Sequence, residues 1–133
     1  MTDENKELQA RAELEAADDA LRAAQALVGL GLVRDAASRA YYAAFHAARA
    51  LLFRRGLQAK THGGMLRLFS QHVVAGGDLA PRYNGILTRL QALRGSSDYA
   101  LAFTMSSDDV AAEVALAGEL VGEAHRLVLT RAS

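Results

Sequence analysis

The chain has 133 residues, no cysteine or tryptophan, a single proline, and 15 Lys plus Arg balanced by 15 Asp plus Glu. A chain of this size buries roughly two thirds of its unfolded surface, enough for one small domain over residues 1–133 and too little for two. Without cysteine it cannot form disulfides, thiolate metal sites or a cysteine nucleophile, and zero net charge weighs against strong nucleic-acid binding independent of sequence.

Composition points to helices throughout, with 28 Ala and 20 Leu, both strong helix formers, against Pro81 alone. The charged start, residues 1–7, has no apolar stretch behind it that resembles a signal peptide, and no window reaches about eighteen uninterrupted apolar residues. Neither export nor membrane insertion is expected, which leaves the cytoplasm.

A first amphipathic helix is expected from Glu4 to Leu30, with Leu14, Leu21 and Val28 seven apart and Ala17 and Ala24 between them. Gly29 and Gly31 end it. A second helix is expected from Val33 to Arg55, stopped at Gly56. Its inward face comprises Val33, Ala37, Ala40, Tyr41, Ala44, Phe45, Ala48, Leu51 and Leu52. So many alanines imply close approach between helices.

Residues 57–64 read as a loop, followed by a short helix from Met65 to Val74 that ends at Gly76 and Gly77. Pro81 fits the first turn of a fourth helix carrying Ile86, Leu87, Leu90 and Leu93, and Gly95, Ser96, Ser97 and Asp98 predict a break or kink after Arg94. Ser106 and Asp109 approximate a capping box that opens the last helix. That helix runs to Leu129, with a seam of Val110, Val114, Ala117, Val121, Ala124 and Val128. With no strand signal, four to five helices on short connections predict an all-α, antiparallel up-and-down bundle.

Three polar groupings could carry chemistry. Arg39, Tyr42, His46 and Arg49 recur at three and four residues on the second helix, a stripe able to hold a phosphate, a base or an acidic segment, though such a stripe is more often a solvated face. In Lys60-Thr61-His62-Gly63-Gly64, the glycines could let backbone approach a ligand, or Thr61 or His62 could simply cap the next helix. Arg94, Asp98 and Tyr99 at the expected break could face a groove or tie the break together. The four histidines are scattered, with no helical pair spacing, so no metal or cofactor is expected.

The run Ser38-Arg39-Ala40-Tyr41-Tyr42-Ala43-Ala44-Phe45-His46-Ala47-Ala48-Arg49-Ala50-Leu51-Leu52, with Gly56, Lys60-Thr61-His62, Phe69 and Arg94-x-x-x-Asp98-Tyr99, resembles the HEPN family of prokaryotic helical bundles. The resemblance implies a homodimer, a partner of the MNT nucleotidyltransferase type in toxin–antitoxin or stress-response pairs, and nucleotide or RNA binding. Active relatives are metal-independent ribonucleases with an Arg-x4-6-His motif. Here the positions five to seven after Arg94 are Tyr99, Ala100 and Leu101, so that histidine is missing. This chain is therefore expected to bind rather than cleave efficiently, with Arg94, Asp98 and Tyr99 as its catalytic-type residues and Arg39, Tyr42, His46, Lys60 and His62 contacting ligand. The alternatives are a ribonuclease using His46 or His62, and a structural dimerisation module. Basic residues gather between Arg39 and Arg67 while acids crowd the first helix, so zero net charge averages unlike segments and confines anion binding to a local groove.

Overall fold

The computed structural model describes residues 2–99 and 106–129, with side chains for all of these except 93–99. Helix α1 is Asp3–Gly29, α2 Val33–Arg54, α3 His62–Leu68, α4 Ile86–Tyr99 and α5 Ser107–Leu129. No strand occurs among the described residues. The chain is an all-α bundle, in which α2 is the central helix and packs on α1, α5 and α4.

Both ends of the first hairpin are fixed locally. Thr2 accepts a hydrogen bond from the Asn5 amide through its hydroxyl at 3.1 Å and caps α1. At the far end Gly31 takes φ 75°, the Gly31 amide donates to the Val28 carbonyl, and the Leu32 amide to that of Leu27. This Schellman closure needs a residue without a Cβ penalty at positive φ, and it turns the chain straight into α2. Gly56, with φ 76°, repeats it at the end of α2, where the Gly56 and Leu57 amides donate to Phe53 and Leu52.

Alanine dominates the buried positions of α1 and α2, which pack against each other. Ala10, Ala17, Ala20 and Ala24 on α1 and Ala36, Ala37, Ala40, Ala43, Ala44, Ala47, Ala48 and Ala50 on α2 are all buried. Side chains of this size let the axes approach toward the short end of the usual helix spacing. Larger residues fill the other side of α2, where Leu51, Phe69, Ile86, Leu87, Leu90 and Leu120 are almost fully enclosed. Each such side chain contributes roughly 1.5–3 kcal/mol of transfer free energy. The predicted seam of α5, Val110 through Val128, is buried at all six positions.

Several expected boundaries move. Helix α3 starts at His62 rather than Met65, because the Thr61 hydroxyl accepts from the Gly64 amide at 2.9 Å and so caps the helix one turn earlier. Gly63 and Gly64 lie inside that first turn, so they are not a free ligand-binding loop. From Phe69 to Val74 the chain widens into a π-helical segment. Pro81 opens a separate 3₁₀ turn, Pro81–Tyr83, and α4 begins only at Ile86. The expected break after Arg94 does not occur; α4 continues through Gly95 to Tyr99. One glycine costs a helix only about 1 kcal/mol, which helix-forming neighbours and packing offset. The expected loop at residues 103–105 lies outside the described residues.

Candidate functional site

The middle of α2 and the first turn of α3 enclose a cavity of about 440 Å³. Tyr41, Tyr42, Phe45 and Arg49 line it from α2. Leu57, Lys60, Thr61 and His62 close it from the connection and the start of α3, with Met65 at its base. The spacing 41, 42, 45, 49 places these side chains along one flank of α2 over two turns. The Gly56 turn folds the following segment back over that flank.

The walls are chiefly rings. Phe45 and His62 stack within 10° of parallel at 6.3 Å, and Tyr41 lies 5.5 Å from both His62 and Tyr42. The Arg49 guanidinium sits 5.6 Å from the Phe45 centroid and 5.4 Å from that of Phe53, within cation–π range. Tyr41, itself only 4% exposed, has its hydroxyl 2.6 Å from His62 Nδ1. This hydrogen bond fixes the imidazole plane. His62 Nε2 is buried and finds no hydrogen-bond partner among the described residues, although such atoms nearly always have one. Lys60 is exposed at the rim and forms no ion pair among the described residues.

The predicted α2 stripe divides. Tyr42 and Arg49 reach the cavity, whereas His46 and Arg39 do not. His46 Nδ1 instead lies 2.6 Å from Glu13 Oε2 on α1, and Arg49 Nη2 approaches the other oxygen of the same carboxylate at 3.4 Å. Glu13 is 14% exposed, so this carboxylate is held by two partners in a largely desolvated place. Arg39, Tyr42 and His46 line a second, shallower depression of about 350 Å³, whose other wall is Ala16, Asp19, Ala20 and Ala23 of α1. Thus Tyr42, Lys60 and His62 come together in the cavity, Arg39 and His46 in the depression, and Tyr42 belongs to both.

Arg94 and Asp98 lie on the last turns of α4 and Tyr99 is its final residue; their side chains are outside the description. The inward-face periodicity of α2 places Tyr41 and Phe45 in the core, and nothing in the pattern marks Leu57 or Met65 as site residues. The dense aromatic spacing at 41, 42 and 45 was the available signal. Among the described residues no cluster of three or more His, Asp or Glu could hold a metal ion, and no helix is long and apolar enough to cross a membrane.

An alanine-seamed helical bundle with this arrangement along α2 and α3 matches the HEPN domain model over residues 10–127, and the chain belongs to the HEPN domain family. It is similar to a Methanocaldococcus jannaschii protein named "Putative toxin MJ0605", with 40% identity over 97 residues, covering 73% of this chain and 71% of that protein. It is also similar to "UPF0332 protein glr0978" of Gloeobacter violaceus, 38% identical over 99 residues, 74% of this chain and 75% of that one. "UPF0332 protein PH1297" of Pyrococcus horikoshii is 41% identical over 71 residues, 53% of this chain and half of that protein.

Proposed function

We propose that this chain is a toxin-type HEPN module that binds a nucleotide or single-stranded RNA in the cavity between α2 and α3. The observation that carries this reading is the union, in one cavity, of ring faces from Tyr41, Tyr42, Phe45 and His62 with the cations Arg49 and Lys60. Unpaired bases stack on such rings, and cations at the margin hold the phosphate. A cavity of about 440 Å³ falls within the range of small-ligand sites.

In this reading the chain is a single cytoplasmic domain, 1–133, that forms a homodimer and works beside an MNT-type nucleotidyltransferase, as the family resemblance implies. Arg94, Asp98 and Tyr99 are its catalytic-type residues, as the family resemblance implies. Titration of the full chain with AMP and with a short oligoadenylate tests it. Micromolar binding that weakens severalfold in Lys60→Ala and Phe45→Ala is expected; no binding of either ligand would overturn it.

One observation favours a ribonuclease as the second reading, and it selects between the two candidate histidines. Nδ1 of His62 is held by the Tyr41 hydroxyl while Nε2 is unengaged, as a general base needs; His46 is committed to Glu13. With hydrogen on Nδ1, the Nε2 lone pair would be the proton acceptor, and because Nε2 is buried, this reading requires the start of α3 to shift and expose it to the ribose 2′-hydroxyl. Metal-independent RNA cleavage abolished by His62→Ala and retained in His46→Ala is the result this reading requires.

A further inference from the structure

The two sides of the cavity are held with unequal firmness. One side belongs to the central helix α2, whereas the segment across from it, residues 57–68, runs between two backbone irregularities. These are Gly56 at φ 76° and the π-helical turn Phe69–Val74. Leu52 and Phe53 anchor the chain before the first, Phe69 and Val73 anchor it at the second, and all four are almost fully enclosed. Between these anchors only Met65 is buried. We infer that residues 57–68 form a hinged strap over the cavity, latched by the Tyr41–His62 hydrogen bond, and that opening it exposes His62 Nε2 to water and widens the cavity. The inference does not depend on which ligand the cavity takes, and it supplies the shift that the ribonuclease reading requires.

The latch is local. The Tyr41 hydroxyl lies 2.6 Å from His62 Nδ1, and Phe45 stacks on the same imidazole at 6.3 Å. Both partners stand on α2, so the firm side of the cavity holds the strap mainly through one imidazole and Met65. Leu57, Ala59, Leu66 and Leu68 add half-buried contacts. Among the described residues no ion pair ties the strap to the bundle, although it carries Lys60 and Arg67. Elsewhere Glu13 joins α1 to α2, His125 joins α5 to α1, and Arg89 joins α4 to α5. Segments with few buried apolar contacts are the ones that open without global unfolding.

His62 also supplies a reason to open. Its Nε2 is buried without a hydrogen-bond partner, so it has given up water and gained nothing in exchange. The closed strap carries that penalty and the open one does not. Gly63 and Gly64 lie in the first turn of α3, where glycine loses more backbone freedom on ordering than any other residue. At the other end of the strap, a π-helical turn is a place where helices bend.

Because the chain has no cysteine, a single introduced thiol reports on its own position. Met65→Cys places it on the strap and Val73→Cys beyond the hinge, at positions 2% and 0% exposed. Under native conditions the thiol at 65 should react with DTNB at least about tenfold faster than the thiol at 73. Adding Tyr41→Phe to Met65→Cys should speed the reaction about fivefold more, as the loss of one ordinary hydrogen bond would. Equal rates at 65 and 73 would show that exposure needs global unfolding, and an unchanged rate with Tyr41→Phe would deny the latch; either result overturns the inference. Amide hydrogen exchange of the cysteine-free chain makes the same comparison if a variant fails to fold. Amides 64–68 should exchange with little dependence on dilute urea while those of α2 respond to it, and equal dependence would overturn the strap. Tyr41→Phe with His62→Phe keeps a ring against Phe45 and removes the unpartnered nitrogen. Strap amides should then exchange more slowly than in Tyr41→Phe alone; equal or faster exchange would overturn the part assigned to Nε2.

Discussion

Helix α2 presents two contrasting surfaces. Toward α1 it buries a run of alanines, and Glu13 of α1, 14% exposed, is matched by His46 and Arg49. Toward α3 its rings border open volume beside Lys60, which has no ion pair among the described residues, and His62, whose buried Nε2 has no hydrogen-bond partner there. The first surface satisfies its groups within the fold, and the second leaves groups for something else to satisfy. Within one helix, alanine at the tightest contacts fixes the frame on which bulky residues can be left incompletely packed.

Substitutions can break this contrast, beginning with the most damaging. Ala40→Leu adds three carbons to a seam position with no exposure, and we expect a loss of about 3 kcal/mol, seen as a fall of roughly 10 °C in melting temperature. Glu13→Ala leaves His46 and Arg49 without their shared carboxylate, and urea unfolding should show a loss of about 2 kcal/mol. At the other surface, Thr61→Ala removes the cap of α3 and should cost only about 1 kcal/mol. On the proposed reading it should also weaken AMP binding severalfold, because His62 begins that helix.

The smallest effect lies outside both surfaces. Burial pushes the Tyr83 phenol above its ordinary value of 10.0, the nearby Arg82 opposes the shift, and Glu119 and Glu123 add to it. The folded state therefore holds the phenolic proton more tightly than the unfolded chain. This contribution is complete below pH 10 and is lost as pH rises through the folded value, so stability should decline in that alkaline range. Tyr83→Phe should flatten the decline, as melting curves between pH 8 and 11 would show.

The helices were legible because their signals are local. Gly31 and Gly56 stop α1 and α2 by backbone conformation, and Ser106 and Asp109 form the anticipated reciprocal cap, with amide-to-oxygen distances of 3.1 and 3.4 Å. Gly95 misled, since a lone glycine marks a helix end only where the next residues also favour leaving the helix. The π-helical turn at Phe69–Val74 left no signal in the residue pattern.

The site was legible in part. Helical spacing put Arg39, Tyr42, His46 and Arg49 on one stripe, yet their division depends on Glu13, 33 residues before His46. Nothing in the periodicity of α2 names a partner on another helix. Tyr41 and Phe45 pack in or against the core, as their inward-face spacing predicts, and they also line the cavity, because the same ring can meet packed atoms on one side and open volume on the other.

All the residues that line the larger cavity fall between Tyr41 and Met65, a stretch of 25 positions. Its ring faces and cations thus come together by closing one short loop at Gly56, a step with a small entropic cost and a short search. Helix α5, which completes the bundle from the far end of the chain, contributes none of the lining. If the cavity holds a nucleotide as proposed, its preference can be altered within this short stretch while the long-range packing of the bundle stays as it is, and a graft of residues 41–65 onto a related bundle would carry the cavity with it.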